Sequence, residues 1–165
     1  MQITSEYEKI FEDYQKKNKT GVSLEKLKKQ LENQAIQGER AEQFVLQYEE
    51  QRLKGHPYIG KIKQISVIDV AAGYDILSFN DCCSERLDRF IEVKSYQGNP
   101  HFYWSQNEIE TAKLYENHYF IYLVDALRVD EPEYEPRIIQ NPANCIIDSD
   151  QWILTPTSYL VIPTE

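Results

Sequence analysis

Apolar and charged residues alternate along Phe90-Ile91-Glu92-Val93-Lys94. A period of two is the repeat of a β-strand, whose side chains point in turn to opposite faces of a sheet. Ile91 and Val93 are thereby committed to an apolar layer, and Glu92 and Lys94 to the other side. A short way upstream, Gly73-Tyr74-Asp75-Ile76 reads as a neighbouring strand carrying a third charged group. With these two strands paired, Asp75 and Glu92 can grip one divalent cation, and Lys94 can reach a scissile phosphate or an attacking water. Such a trio suits metal-assisted cleavage of a phosphodiester.

The flanking segments predict an α/β domain. Ala41, Phe44, Val45, Tyr48 and Arg52 share one face of a helix that starts around Gln37-Gly38, runs to about Lys54 and is ended by Gly55-His56-Pro57. Strands follow from Lys61 to Asp69, Tyr74 to Phe79 and Leu87 to Ser95, with a polar turn over Asn80 to Glu85 between the last two. Their closeness in sequence predicts an antiparallel meander. Ser105-Gln106-Asn107-Glu108 matches a capping box and opens a second helix, with Ile109, Ala112 and Tyr115 on one face, ending near Asn117. Tyr119 to Leu127 is an apolar, aromatic-rich run expected to form a buried strand. The prolines and short apolar pieces after it, at Ile138-Ile139, Cys145-Ile147, Trp152-Leu154 and Tyr159-Ile162, predict loops and edge strands.

Ahead of this core, Tyr7, Ile10, Phe11 and Tyr14 predict a short amphipathic helix within residues 5–17, broken by residues 16–21. Ser23 is a suitable N-cap for another helix, on which Leu24, Leu27 and Leu31 form a narrow apolar stripe. The expected organisation is a helical extension over residues 1–37 and a single domain over residues 38–165. The extension either packs on its own domain or serves as an arm for docking or homo-oligomerisation.

The 165 residues are enough for one hydrophobic core without disulfides or structural metal. Cys82, Cys83 and Cys145 form neither an even disulfide set nor a C-x-x-C pattern, so reduced thiols are expected. The sequence has no signal-like apolar run at residues 1–20 and no window of membrane-spanning length, which predicts a cytoplasmic protein without membrane contact. A net charge of −9 opposes unaided binding to a phosphate backbone. Its distribution is uneven: residues 1–37 carry +1, residues 38–124 carry −4 and residues 125–165 carry −6. Carboxylates that hold metal account for some acidity in the middle; a partner that brings the substrate is expected to supply the missing positive charge.

An acidic-x-Lys triplet arises readily in so charged a chain, and its weight comes from context. Here it lies in an apolar strand, beside a strand bearing Asp75 and downstream of a helix bearing Glu42. Asp75 and Glu92 are hard oxygen ligands for Mg²⁺ or Mn²⁺, the Val93 carbonyl can add a third oxygen, and Glu42 can serve this ion or a second one. Lys94 orients or deprotonates water, or opposes the charge that develops on the phosphate. The plain alternative is that Asp75 caps a turn and Glu92 pairs with Lys94 on a solvated sheet face. Glu108 has a sufficient explanation in its capping box, and the aromatics of His101 to Trp104 pack beside a turn more readily than they stack on bases.

Gly38-Glu39-Arg40-Ala41-Glu42, Tyr48-Glu49, Gly73-Tyr74-Asp75-Ile76, Ile91-Glu92-Val93-Lys94-Ser95, Asn107-Glu108 with Ala112, and Tyr119 to Val124 together resemble the domain named for the C-terminus of the protein No Vein. That domain in turn looks like a member of the PD-(D/E)xK nuclease superfamily, whose restriction-endonuclease-like core runs helix, three strands, helix, strand. The resemblance spans about residues 38–162. It implies that Asp75, Glu92 and Lys94 match the superfamily's metal and catalytic positions, and that Glu42 matches the helix glutamate of resolvase-like members. Tyr74 stands where the superfamily's label has proline. Domains of this kind accompany helicase, ATPase or restriction-like modules, which implies a bacterial or antiviral defence setting. The expectation is a Mg²⁺-dependent endonuclease acting on DNA rather than RNA; the competing expectation is an inactive nuclease-fold module that binds nucleic acid or a partner protein.

Overall fold

The structure, a computed structural model, describes residues 23–147, 149–158 and 161. The helix expected over residues 5–17, Asp148 and most of the last apolar piece lie outside them. The chain divides into two units between Ile36 and Gln37.

Helix α1 spans Leu24–Arg52, and Ser23 caps it, its Oγ accepting from the Lys26 N–H at 3.2 Å. The separate helix start expected around Gln37-Gly38 is not seen: one helix runs from Leu24 to Arg52. Gly38 is not among the glycines with positive φ, so it ends nothing, and the strong helix formers around it carry the helix past a weak residue. Ala41, Val45 and Glu49, spaced four apart, are the buried residues of α1. Gly55 at φ +93° then turns the chain out of the helix.

Among the described residues five strands follow: β1 (Lys63–Gln64), β2 (Ile76–Ser78), β3 (Arg89–Tyr96), β4 (Tyr119–Asp125) and β5 (Arg137–Gln140). Helix α2 (Gln106–Tyr115) lies between β3 and β4, and the short α3 (Pro142–Ile146) follows β5. The sheet order is β1-β2-β3-β4-β5, with only the β3–β4 pair parallel. A parallel pair needs a crossover, and α2 supplies it. The first three strands form the expected antiparallel meander.

Two boundaries differ from the sequence pattern. β1 is far shorter than Lys61–Asp69, because the Ile65 and Ser66 amides both donate to the Asp75 carbonyl and the Ile68 and Asp69 amides return to the Ile65 carbonyl. The apolar residues after Gln64 therefore enter a turn. Cys145 and Ile146 lie in α3 instead of an edge strand, behind Pro142 at the helix start, where its missing N–H is not needed.

β4 is buried on both faces and joins two cores. Phe120, Tyr122 and Val124 pack with Ala41 and Val45 of α1, together with Ile76 and Ile91. Tyr119, Ile121 and Leu123 face the other way, toward Ala112 of α2 and Ile146 of α3. The first core also contains a buried polar knot. Glu49, fully buried, accepts from Arg52 Nη2 (2.6 Å), Ser78 Oγ (2.7 Å) and Tyr122 Oη (2.6 Å), and Arg89 donates to Tyr122 Oη at 2.7 Å. Burial alone would raise the Glu49 pKa, but hydrogen bonds and charge from Arg52, joined by Tyr122 and Arg89, hold it below the usual carboxylate range.

Candidate active site

The site forms where the β2–β3 ladder opens. Ile76 pairs with Ile91, so the antiparallel register sets Asp75, just before β2, opposite Glu92. Both project toward the α2 side, by the same alternation that sends Ile76 and Ile91 toward α1. The Asp75 amide still donates to the Ile91 carbonyl at 2.8 Å, but its side chain replaces the next rung: Oδ2 accepts from the Val93 N–H at 2.7 Å. Since the Val93 N–H points to this edge, its carbonyl does so too, beyond the last paired residues.

Gly73 sets the approach to Asp75. Its φ of +76° favours glycine, and an added Cβ would lie 2.3 Å from Thr111 Oγ1 and 3.1 Å from Asn107 Nδ2. Its carbonyl accepts from Tyr119 Oη at 2.7 Å, and the nearby Ala71 carbonyl accepts from Asn107 Nδ2 at 2.9 Å. The loop before Asp75 is thus fastened to α2 and to the start of β4.

Glu92 is only 5% exposed, and its Oε1 lies 2.7 Å from Lys94 Nζ, which lies 2.6 Å from Glu108 Oε2 on α2. A cleft of about 340 Å³ opens here, with Asp69, Tyr74, Asp75, Glu92, Asn107 and Glu108 in its wall. Lys94 and Glu42 add nothing to that wall, but each is one hydrogen bond from it. Lys94 reaches it through Glu92 and Glu108; Glu42 does so through Ser66, whose hydroxyl donates to Glu42 Oε2. Gln64 Nε2 also donates to Glu42, at 2.9 Å.

The electrostatics are those of crowded carboxylates. Burial first and the Asp75 charge second push Glu92 up to about 8, against the pull of Lys94. Burial raises Asp75 to about 6; the Val93 amide opposes this and the Glu42 charge adds to it. Burial would lower Lys94, yet Glu92 and Glu108 more than offset it and hold the group above its ordinary value, as an ammonium. Among the described residues, no three His, Cys, Asp or Glu side chains are already drawn together as a metal-holding group. The donor chemistry nevertheless fits a hard divalent ion: the Asp75 and Glu92 carboxylates stand opposite each other in one cleft wall, and their mutual repulsion is what a cation relieves.

Residues 41–139, more than half of the chain, match the family described as Protein NO VEIN, C-terminal. The chain belongs to this family. No curated protein and no solved structure matches it. The NO VEIN C-terminal match begins at Ala41 on α1 and ends at Ile139 on β5, so it contains every residue of the cleft wall.

Of the residues singled out in the sequence, Asp75, Glu92 and Lys94 come together, with the Val93 backbone between them, and Glu42 stands at the margin. In the sequence, the capping box is a sufficient explanation of Glu108. That box is present, with the Glu108 N–H donating to Ser105 Oγ at 3.3 Å, but the same side chain also binds Lys94. Tyr119 was hidden inside an apolar run; the hydroxyl at its start was the available signal. Phe102 packs edge-on against Trp104 and Trp152, in keeping with the packing role of the aromatic run.

Proposed function

We propose that this domain is a divalent-metal-dependent endonuclease that hydrolyses phosphodiester bonds of DNA, built on the restriction-endonuclease-like core of the PD-(D/E)xK superfamily. The observation that carries this reading is the facing of Asp75 and Glu92 across the open end of the β2–β3 ladder, in a cleft wall, with the Lys94 ammonium 2.7 Å from Glu92. The order α1, β1–β3, α2, β4 supports it, being the helix, three strands, helix, strand of that core.

Asp75, Glu92 and the Val93 carbonyl would hold Mg²⁺ or Mn²⁺, with Glu42 as an accessory carboxylate. The bound ion would supply Lewis-acid polarisation of the phosphate and a more acidic water. The protein's own residues do the rest. Glu92, raised to about 8, would give up its proton on taking up the ion, whereas Asp75, at about 6, would already be ionised near neutral pH. Lys94, kept charged by two carboxylates, acts through its positive charge on the phosphate oxygens rather than as a base. Burial of Glu92 and Lys94 strengthens these interactions by excluding water.

The wider reading is a nuclease module in a bacterial antiviral defence system, acting in the cytoplasm. Residues 1–37 would be a docking or oligomerisation arm and residues 38–165 the nuclease domain. Among the described residues no helix is long and apolar enough to cross a membrane. With a net charge of −9, most of the affinity for DNA would come from a partner.

Purified protein should nick or linearise plasmid DNA with Mg²⁺ or Mn²⁺, and both Asp75→Ala and Lys94→Ala should abolish cutting. Unchanged cutting by Lys94→Ala would remove the assignment. The acidic charge favours a second reading, a catalytically inactive module that binds nucleic acid or a protein. Calorimetry with Mn²⁺ separates the two: an enzyme binds the ion in a way that Asp75→Ala removes, and an inactive module shows no such binding.

A further inference from the structure

We infer that Glu108 is a positioning residue for Lys94, fixing its ammonium between β3 and the first turn of α2. The inference rests on the hydrolytic reading above. A lysine side chain turns about four bonds, so a single ion pair with Glu92, two positions away on the same strand, restrains its tip only loosely. A second carboxylate from another element removes that freedom. Lys94 Nζ has both partners, at 2.7 Å and 2.6 Å, and the Lys94, Glu92 and Glu108 side chains are only 15%, 6% and 19% exposed. Pairs so enclosed are screened far less than surface pairs.

The charge of Glu108 is more than its helix requires. A capping box needs an acceptor at this position, and glutamine serves as well as glutamate. Here Oε2 accepts from the Ser105 amide at 3.2 Å and also from Lys94 at 2.6 Å, so one oxygen joins the start of α2 to the ammonium. The neighbouring Asn107 holds the Ala71 carbonyl, in the loop that leads to Asp75. The first turn of α2 therefore sets the position of Lys94 through Glu108 and steadies the Asp75 approach through Asn107.

Two substitutions separate this role from capping. Glu108→Gln keeps an acceptor for the Ser105 amide and loses the charge; Ser105→Ala weakens the cap and keeps the charge. In the full chain with Mn²⁺ and an oligonucleotide substrate, Glu108→Gln should lower kcat about 10–100-fold with KM little changed, the scale expected when a reacting group is misplaced. Its thermal midpoint should stay close to wild type. In metal-free protein labelled with ¹⁵N-lysine, the Lys94 ammonium resonance, assigned by its loss in Lys94→Arg, should be sharp in wild type and Ser105→Ala and broadened away by exchange in Glu108→Gln. Ser105→Ala should lower the midpoint. The inference is overturned by a Glu108→Gln protein with wild-type kcat, or by one whose ammonium resonance is unchanged. Absence of cleavage by wild type would sink the hydrolytic reading alone, because the ammonium resonance still decides whether Glu108 holds Lys94.

Discussion

Replacing Gly73 by alanine tests how the Asp75 approach is built. Two costs arise. At φ +76° the backbone is left-handed, which costs an L-residue about 1–2 kcal/mol. The new methyl would also lie 2.3 Å from Thr111 Oγ1 and 3.0 Å from Thr111 Cβ. Thr111 cannot easily yield: it is β-branched on a helix, and its hydroxyl donates to the Asn107 carbonyl at 2.8 Å. Overpacking of this kind costs about 1–3 kcal/mol, for a total of about 2–5 kcal/mol. Two other glycines serve as controls. Gly55, at φ +93° with nothing within 4 Å of an added Cβ, carries only the backbone cost of about 1–2 kcal/mol. Gly38, inside α1 with equally open surroundings and no positive φ, should become more stable as alanine by about 0.5–1 kcal/mol. Urea denaturation of the full chain would rank them, with Gly38→Ala above wild type and Gly73→Ala lowest. A Gly73→Ala protein no less stable than Gly55→Ala would refute the claim that Gly73 is pressed against α2.

The carboxylates of the site predict a pH dependence in metal-free protein. Glu92 at about 8 and Asp75 at about 6 hold protons in the folded state that the unfolded chain has released, so stability should fall as pH rises from about 5 to 8 and be highest at the acid end of that window. Urea midpoints across it should show the fall, and Glu92→Gln should flatten it. In the first core, Glu49→Ala would leave Arg89 buried without its counter-charge and take the acceptor from Ser78, at a cost of about 3–5 kcal/mol readable as a lower urea midpoint.

The strands that carry charged residues in strict alternation were legible, because a period of two leaves little freedom: Glu92 and Lys94 share a face as the pattern demands. The Ser105 capping box was equally plain. What escaped was set by distant hydrogen bonds. β1 stops after Gln64 because the Asp75 carbonyl captures the Ile65 and Ser66 amides, and no local pattern announces a partner so far along the chain. The apolar pattern restarts around Gln37-Gly38, yet one helix passes through, because a change of apolar stripe does not interrupt backbone hydrogen bonding. Glu108 is explained locally by its capping motif, while its pairing with Lys94 depends on tertiary packing that brings the first turn of α2 beside β3. Fold class and the acidic core of the site are local-pattern properties; the second layer around Lys94 is not.

The double burial of β4 also bears on how the chain must be made. Tyr119 to Val124 has no charge, proline or glycine, the composition of a segment that joins foreign strands when its edge is free. In the finished sheet β3 covers one of its edges and β5 the other. β3 is synthesised first, but β5 runs to Gln140, so a nascent chain exposes one sticky edge until that residue has emerged. The interval between the emergence of Val124 and that of Gln140 is therefore the period of greatest aggregation risk. Substitutions in β5 that delay its pairing should reduce soluble yield well before they alter the stability of the folded protein.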